Sequence, residues 1–260
     1  MPVNIDQLRA IVREAGALIR SAQMSPEEIR SKDGHRNYVT RFDVMVQDHL
    51  EQQLRELAPD YGFVAEEQDS QDYSHTSSFI VDPIDGTSNF IFGIPQYCIS
   101  VAVVEDGEVR QGVVYNPALD EMYWAESGKG SFLNGAPIVN PDLPLEQTLF
   151  GVGTSPYNAA YREQSVTLMN ALLPVAIDIR RLGSAALDLC YVANGRQGGY
   201  FEFEINPWDI AAGMLIAREA GARVTTLDGH EPPLDRTMSI FAAGQQAYEQ
   251  FMAIYQEAGQ

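Results

Sequence analysis

Cysteine is nearly absent: Cys98 and Cys190 are the only two in 260 residues. That excludes a disulfide framework, and with no CxxC spacing it excludes a thiolate metal site. Each thiol lies in an apolar stretch and is expected to be buried and free. Positive charge is also scarce. Against 36 Asp and Glu stand 17 Lys and Arg, a formal net charge of -19. A chain of that charge carries no basic footprint for direct nucleic-acid binding, and an anionic membrane surface repels it. No apolar run approaches the length of a membrane span. Met1 to Arg20 alternates apolar and charged residues without an unbroken apolar core, so no signal peptide is read and a cytoplasmic location is expected. His35, His49, His75 and His230 are scattered without metal-ligand spacing. A G-x-S-x-G elbow is missing and neither cysteine has a nearby basic partner, which speaks against a covalent nucleophile. Ser127-Gly128-Lys129-Gly130-Ser131 superficially matches a nucleotide-binding loop, but Tyr123 and Gly130 stand where that motif needs glycine and Ser or Thr. A tight hairpin turn accounts for it.

What remains is an acidic globular chain, 45% hydrophobic, able to bury a sizeable core. Its acidity reads either as a solvated surface or as carboxylates gathered around divalent cations. Ile5, Leu8, Ile11, Val12, Ala15, Leu18 and Ile19 follow the helical period, as does Val44 to Leu57. The polar stretch Ser25 to Tyr38 between them reads as a mobile loop. Phe63-Val64-Ala65 and Ser78-Phe79-Ile80-Val81 read as buried strands, each followed at once by carboxylates, Glu66-Glu67 and Asp82. Tyr97 to Ile138 reads as an antiparallel meander turning at Asp106-Gly107. Pro141 to Pro144 is the candidate boundary, dividing an α+β metal-binding half, 1–145, from an α/β half, 146–260, that completes the site between them. In that second half the pattern predicts helices at Ala159–Leu173, Ser184–Asn194, Trp208–Gly221 and Tyr248–Ala258. It predicts strands at Val175–Arg180, Gly199–Phe203, Arg223–Thr226 and Ser239–Ala243.

The stretch Asp82-Pro83-Ile84-Asp85-Gly86-Thr87-Ser88-Asn89 carries the chemistry. Two carboxylates three apart at the end of a buried strand converge on one point if the chain turns between them, and Pro83, with φ fixed, suits such a turn. Gly86 permits a left-handed backbone, and Thr87-Ser88 is placed to begin a short helix with free amides. Acids beside anion-binding amides make sense if Mg²⁺ bridges the carboxylates to a phosphate.

The string Asp82-Pro83-Ile84-Asp85-Gly86-Thr87-Ser88-Asn89-Phe90 resembles the signature of the inositol monophosphatase family, D-P-[IL]-D-G-T-x-N-F. Other family elements follow in order: Val39-Thr40-x-x-Asp43, Ala65-Glu66-Glu67 with alanine for the common glycine, and Gly128-Lys129-Gly130 followed by Asn134-Gly135. Gly183-Ser184-Ala185-Ala186 and Trp208-Asp209-x-Ala211-Ala212-Gly213 complete the set. The resemblance implies a layered αβαβα sugar-phosphatase-like fold and Mg²⁺-dependent hydrolysis of a small phosphomonoester, with inositol monophosphate first. Fructose 1,6-bisphosphate, histidinol phosphate, 3′-phosphonucleotides or NADP are the alternatives, as is a regulatory, protein-binding role.

It also implies roles. Glu66, Asp82 and the carbonyl of Ile84 would hold a first Mg²⁺; Asp82, Asp85 and Asp209 a second; Glu66 and waters near Asp43 a third. The amides of Gly86 and Thr87, with Ser88 beside them, would receive the phosphate. The nucleophile would be a metal-bound water whose proton passes to the Glu66–Thr87 pair. Glu202 matches a position that contacts a substrate hydroxyl, with Glu204 as the alternative, and Lys32 falls where the family often has a lysine near the site. Asp209 reads either as a metal ligand, beside the substrate, or as an N-cap. Glu204 and Asn206 depart from the glycine and histidine common there. Members of the family are commonly homodimers.

Overall fold

Three apolar clusters hold five layers together, the middle one spanning both faces of the central helices. In the computed structural model, which describes residues 3–20, 29–33, 37–68, 71–156 and 158–258, the elements run α1 (Ile5–Arg20), β1 (Ile29–Asp33), β2 (Asn37–Thr40), α2 (Arg41–Leu57), β3 (Gly62–Ala65), β4 (Ser77–Asp85), α3 (Thr87–Ile91), β5 (Cys98–Glu105), β6 (Glu108–Asn116), β7 (Glu121–Glu126), β8 (Ser131–Leu133), β9 (Ala136–Ile138), β10 (Leu149–Val152), α4 (Ala159–Leu172), β11 (Asp178–Arg180), α5 (Ala185–Ala193), β12 (Gly199–Ile205), α6 (Pro207–Glu219), β13 (Arg223–Thr225), β14 (Met238–Ala243) and α7 (Gln245–Ala258). Strands β3 to β9 form one sheet in chain order, and five others form a second in the order β11-β10-β12-β14-β13.

Helices α1 and α2 cover one face of the larger sheet, burying Leu8, Val12, Ile19, Val46, Leu50 and Leu54 against Phe79, Val81, Val101 and Val113. The opposite face packs on α5 and α6, which also meet Tyr200, Ile240 and Ala242 of the smaller sheet. The far face of that sheet packs on α4 and α7 through a cluster of rings, with Phe150 and Phe251 stacked 5.4 Å apart. The result is the layered αβαβα arrangement. Because β4 and β5 are covered on both faces, their sequences read as unbroken apolar runs rather than as alternation.

Helix α6 lies unusually close to the larger sheet. A Cβ built on Gly112 of β6 would lie 2.7 Å from the carbonyl oxygen of Ala212, so both sides of this contact need small residues. Gly112→Ala is expected to lower unfolding free energy by about 1–3 kcal/mol, measured by urea denaturation of the metal-free protein.

Several expectations change in detail. Part of the polar segment expected to be a loop is an antiparallel pair, β1 with β2, paired from Ile29↔Thr40 to Asp33↔Asn37 with a register shift between Ser31 and Asp33. Residues 25–28 and 34–36 lie outside the described residues. Strand β10 carries no sequence signal, since Gly151 interrupts a four-residue run too short to show a period. The expected strand from Val175 shrinks to Asp178–Arg180, and the last helix begins earlier, at Gln245. The glycine turn between β7 and β8 does gather amides around an anion, but the anion is the protein's own: Gly128 N and Gly130 N donate to Glu219 at 2.7 and 2.8 Å. Both cysteines are buried and free. Among the described residues no helix is long and apolar enough to cross a membrane.

Candidate active site

In a regular strand, residues three apart point to opposite faces, yet Asp82 and Asp85 of β4 point to one place. The pairing with β5 explains it. Asp82 sits opposite Ser100 and Asp85 opposite Cys98, so three steps on β4 match two on β5. That extra residue is a β-bulge, and it turns both carboxylates into the same cleft. Pro83 stands within the bulge, where its missing N–H costs no ladder bond. The expected turn is therefore a bulge within a strand that continues to Asp85. Gly86 then takes φ +91°, and a Cβ there would lie 2.8 Å from the Gln96 carbonyl, so glycine is required on both counts.

Asp209 arrives from the other half of the chain, at the third position of α6. Its Oδ2 accepts from the Asn206 backbone N–H at 2.9 Å, closing a capping box. The cap of α6 is Asn206, so Asp209 is not the N-cap but its capping-box partner, and a carboxylate oxygen from each of Asp82, Asp85 and Asp209 lies within 4.8 Å of the others. Asp85 is held by the family's Gly-Ser-Ala-Ala element, with Ser184 Oγ and Ala186 N donating to its Oδ2 at 2.6 and 2.8 Å. Among the described residues Asp82 Oδ1 accepts the Ile84 N–H, at 3.0 Å.

The cluster is electrostatically strained without cations. Burial pushes the Asp82 carboxyl well above the usual carboxylate range, and the charges of Glu66, Asp85, Asp209 and Asp43 push it further. Burial and the charges of Glu66 and Asp85 do the same to Asp209. Burial raises Asp85 to about 6 even though Ser184 and Ala186 pull the other way. Oxygen-only donors, mutual repulsion and a shared focus fit a hard divalent cation such as Mg²⁺.

Beneath this cluster lies Asp43, fully buried. Its Oδ2 accepts from Thr40 N and Oγ1 at 2.7 and 2.6 Å, the capping box of α2. Its Oδ1 receives the Thr87 hydroxyl at 3.1 Å, which also points to the Ile84 carbonyl at 3.0 Å. The sequence pairs Thr87 with Glu66; the structure gives Thr87 Oγ1 Asp43 and Ile84 as its partners. Burial raises the Asp43 pKa, opposed by the Thr40 bonds.

A cleft of about 450 Å³ opens over these groups. Glu66, Gly86, Thr87 and Ser88 line it on the cluster side, and Tyr200, Glu202, Glu204 and Thr237 form the far wall. Tyr200, Glu202 and Glu204 alternate along β12 and so share a face. Glu202 Oε2 accepts the Tyr200 hydroxyl at 2.7 Å and its Oε1 the Ser155 N–H at 3.2 Å. Lys32 lies in β1, its side chain outside what is described.

Other lining residues escaped the sequence. Ser184, Asp188 and Arg181 all line the cleft. The Gly-Ser-Ala-Ala element marked the neighbourhood, but a hydroxyl serving as helix N-cap and an arginine two residues before a glycine carry no signal of their own.

A model of the inositol monophosphatase family matches residues 4–260. The chain belongs to the inositol monophosphatase family. Across 209 residues it is 39% identical to an inositol-1-monophosphatase of Mesorhizobium japonicum, covering 79% of this chain and 78% of that one. It is 41% identical over 198 residues to the Nus factor SuhB of Xylella fastidiosa, covering 76% and 72%. Among solved structures, the IMPase of Thermotoga maritima superposes with a TM-score of 0.87 at 33% identity, over 98% of this chain and 97% of that one. The family's phosphoric monoester hydrolases thus share the fold into which the acidic cluster is built.

Proposed function

We propose that this protein hydrolyses inositol monophosphate to inositol and phosphate, with Mg²⁺ as its cofactor. The observation that carries the reading is the convergence of Asp82, Asp85 and Asp209 beside the Gly86–Ser88 turn, in a family of phosphomonoesterases.

In this reading Glu66, Asp82 and the Ile84 carbonyl would hold one ion and Asp82, Asp85 and Asp209 a second, while Glu66 and waters near Asp43 would hold a third. Bound there, Mg²⁺ supplies charge neutralisation for the phosphate and acidifies the attacking water. The chain's own groups do the rest. Amides of Gly86 and Thr87, next to Ser88, orient the phosphate. The Thr87 hydroxyl, fixed by Asp43 and the Ile84 carbonyl, passes on the water's proton together with Glu66. Glu202 accepts from a hydroxyl of the leaving alcohol, and Lys32 is assigned beside the site on the family resemblance alone. Positioning and electrostatics suffice for such a transfer, with no covalent intermediate. We further assign a homodimer working in the cytoplasm, on the family resemblance.

The test is phosphate release from a panel of phosphomonoesters with and without Mg²⁺. Turnover that requires Mg²⁺ and is fastest on inositol 1-phosphate supports the proposal, and a faster substrate reassigns the leaving group. The resemblance to a Nus factor supports a second reading, a regulatory protein-binding role. Folded, Mg²⁺-loaded protein that releases no phosphate from any ester would move that reading to the front.

A further inference from the structure

The turn that would receive the phosphate and the turn that holds Asp85 come from distant segments, and the side chain of Asn89 fastens one to the other. Asn89 is the third residue of α3, half-buried at the edge of the cleft. Its Nδ2 donates to the Gln96 carbonyl at 2.6 Å and to the Leu182 carbonyl, 93 positions away, at 2.7 Å. A side-chain amide nitrogen carries two hydrogens, so both are committed. Gln96 lies between α3 and β5, and Leu182 between β11 and α5. The Gln96 side chain is held as well, its Oε1 accepting the Tyr191 hydroxyl of α5 at 3.1 Å.

Around this bridge the two turns pack backbone against backbone. A Cβ on Gly86 would lie 2.8 Å from the Gln96 carbonyl oxygen and 3.2 Å from that of Gly183. A Cβ on Gly183 would lie 3.1 Å from Asn89 Nδ2. Each turn carries a different part of the site. One presents the amides of Gly86 and Thr87; the other runs into Ser184, whose hydroxyl donates to Asp85 Oδ2 at 2.6 Å. If the turns part, the amides move relative to the carboxylate. Two neutral hydrogen bonds add little to the stability of a chain this size, yet a misplacement of about 1 Å costs roughly 100-fold in rate.

We propose that Asn89 is a positioning residue for phosphate transfer: by tying the Leu182 and Gln96 carbonyls together it fixes the spacing between the Gly86–Thr87 amides and the Asp85 carboxylate. The inference rests on the phosphatase reading above. Asn89 acts through the two turns, since its own donors are already used.

The experiment measures kcat and KM at saturating Mg²⁺ on the fastest ester of the panel, for wild type, Asn89→Ser and Asn89→Ala, each alone and combined with Ser184→Ala. The rise in melting temperature that inorganic phosphate causes in the presence of Mg²⁺ reports the same site without turnover. Asn89→Ala is expected to lower kcat about 10–100-fold, with KM rising less than kcat falls, and to shrink the phosphate-induced rise. Asn89→Ser keeps one donor and should fall between, and it supplies the same readouts if the alanine variant does not fold. In Ser184→Ala the second turn has already lost its hold on Asp85, so Asn89→Ala should there cost less than about threefold, in kcat or in the phosphate-induced rise. Equal costs in both backgrounds would overturn the proposal. So would variants that melt lower but keep kcat and the phosphate-induced rise within about threefold of wild type, which is a purely structural role. A wild type that releases no phosphate from any ester overturns the phosphatase reading and this inference with it, an outcome distinct from an active wild type with fully active Asn89 variants.

Discussion

Asp85→Asn is expected to abolish Mg²⁺-dependent phosphate release while leaving the protein folded. The geometry dictates which way the new amide faces. Asp85 Oδ2 accepts from the Ser184 hydroxyl and the Ala186 N–H, and the backbone donor cannot reverse its role. The single oxygen of asparagine must therefore stay there, which turns its NH₂ toward Asp82 and Asp209. A donor replaces an acceptor where a cation should bind, and one negative charge is lost. Metal assistance is worth several kcal/mol of transition-state stabilisation, so the expected fall is roughly 10³-fold or more in kcat/KM. Steady-state kinetics across a Mg²⁺ titration measures it, and an unchanged circular-dichroism spectrum excludes misfolding. Residual activity within about tenfold of wild type would sink the assignment of Asp85 as a ligand.

The second large effect concerns stability. A carboxylate whose pKa is raised by folding binds protons more tightly in the native state than in the unfolded chain. Stability is therefore complete below the unfolded value and falls as pH rises toward the folded one. For Asp85 that window runs from 3.8 to about 6, and the shift corresponds to roughly 3 kcal/mol once the group is ionised. Asp82 and Asp209 are displaced in the same direction and extend the loss to higher pH. Protein stripped with EDTA is thus expected to melt at progressively lower temperature from pH 4 upward. Mg²⁺ at a hundred times its dissociation constant should restore about 2.7 kcal/mol, or ~5–10 °C for a chain of this size. In Asp85→Asn the Mg²⁺-dependent rise should vanish, and the metal-free protein should melt higher than wild type at pH 8. A metal-free melting temperature that climbs between pH 4 and 7 would contradict the cluster electrostatics.

Most of the acidic cluster is legible in the sequence because its parts lie where local rules are strong. Buried strands β3 and β4 announce themselves as apolar runs, and the carboxylates follow at or near their ends. Pro207 and Asp209 mark a helix start by chemistry alone. What stays hidden depends on pairing between distant segments. The bulge at Pro83 exists only relative to β5, so the string itself suggests a turn. The grip of Ser184 and Ala186 on Asp85 spans about a hundred positions in sequence. β1 lacks an apolar alternation, and its pairing with β2 is visible only in backbone register. Asp43 shows both its duties only in three dimensions, capping α2 with one oxygen and steadying Thr87 with the other.

The far wall of the cleft is built from the alternating face of β12 and from Thr237, while the converging carboxylates come from β4 and the start of α6. Changing side chains on that one strand face redraws what the cleft embraces without moving a group that gathers charge. Groups that would hold the reacting phosphate and groups that would shape the rest of the cleft thus sit on separate elements.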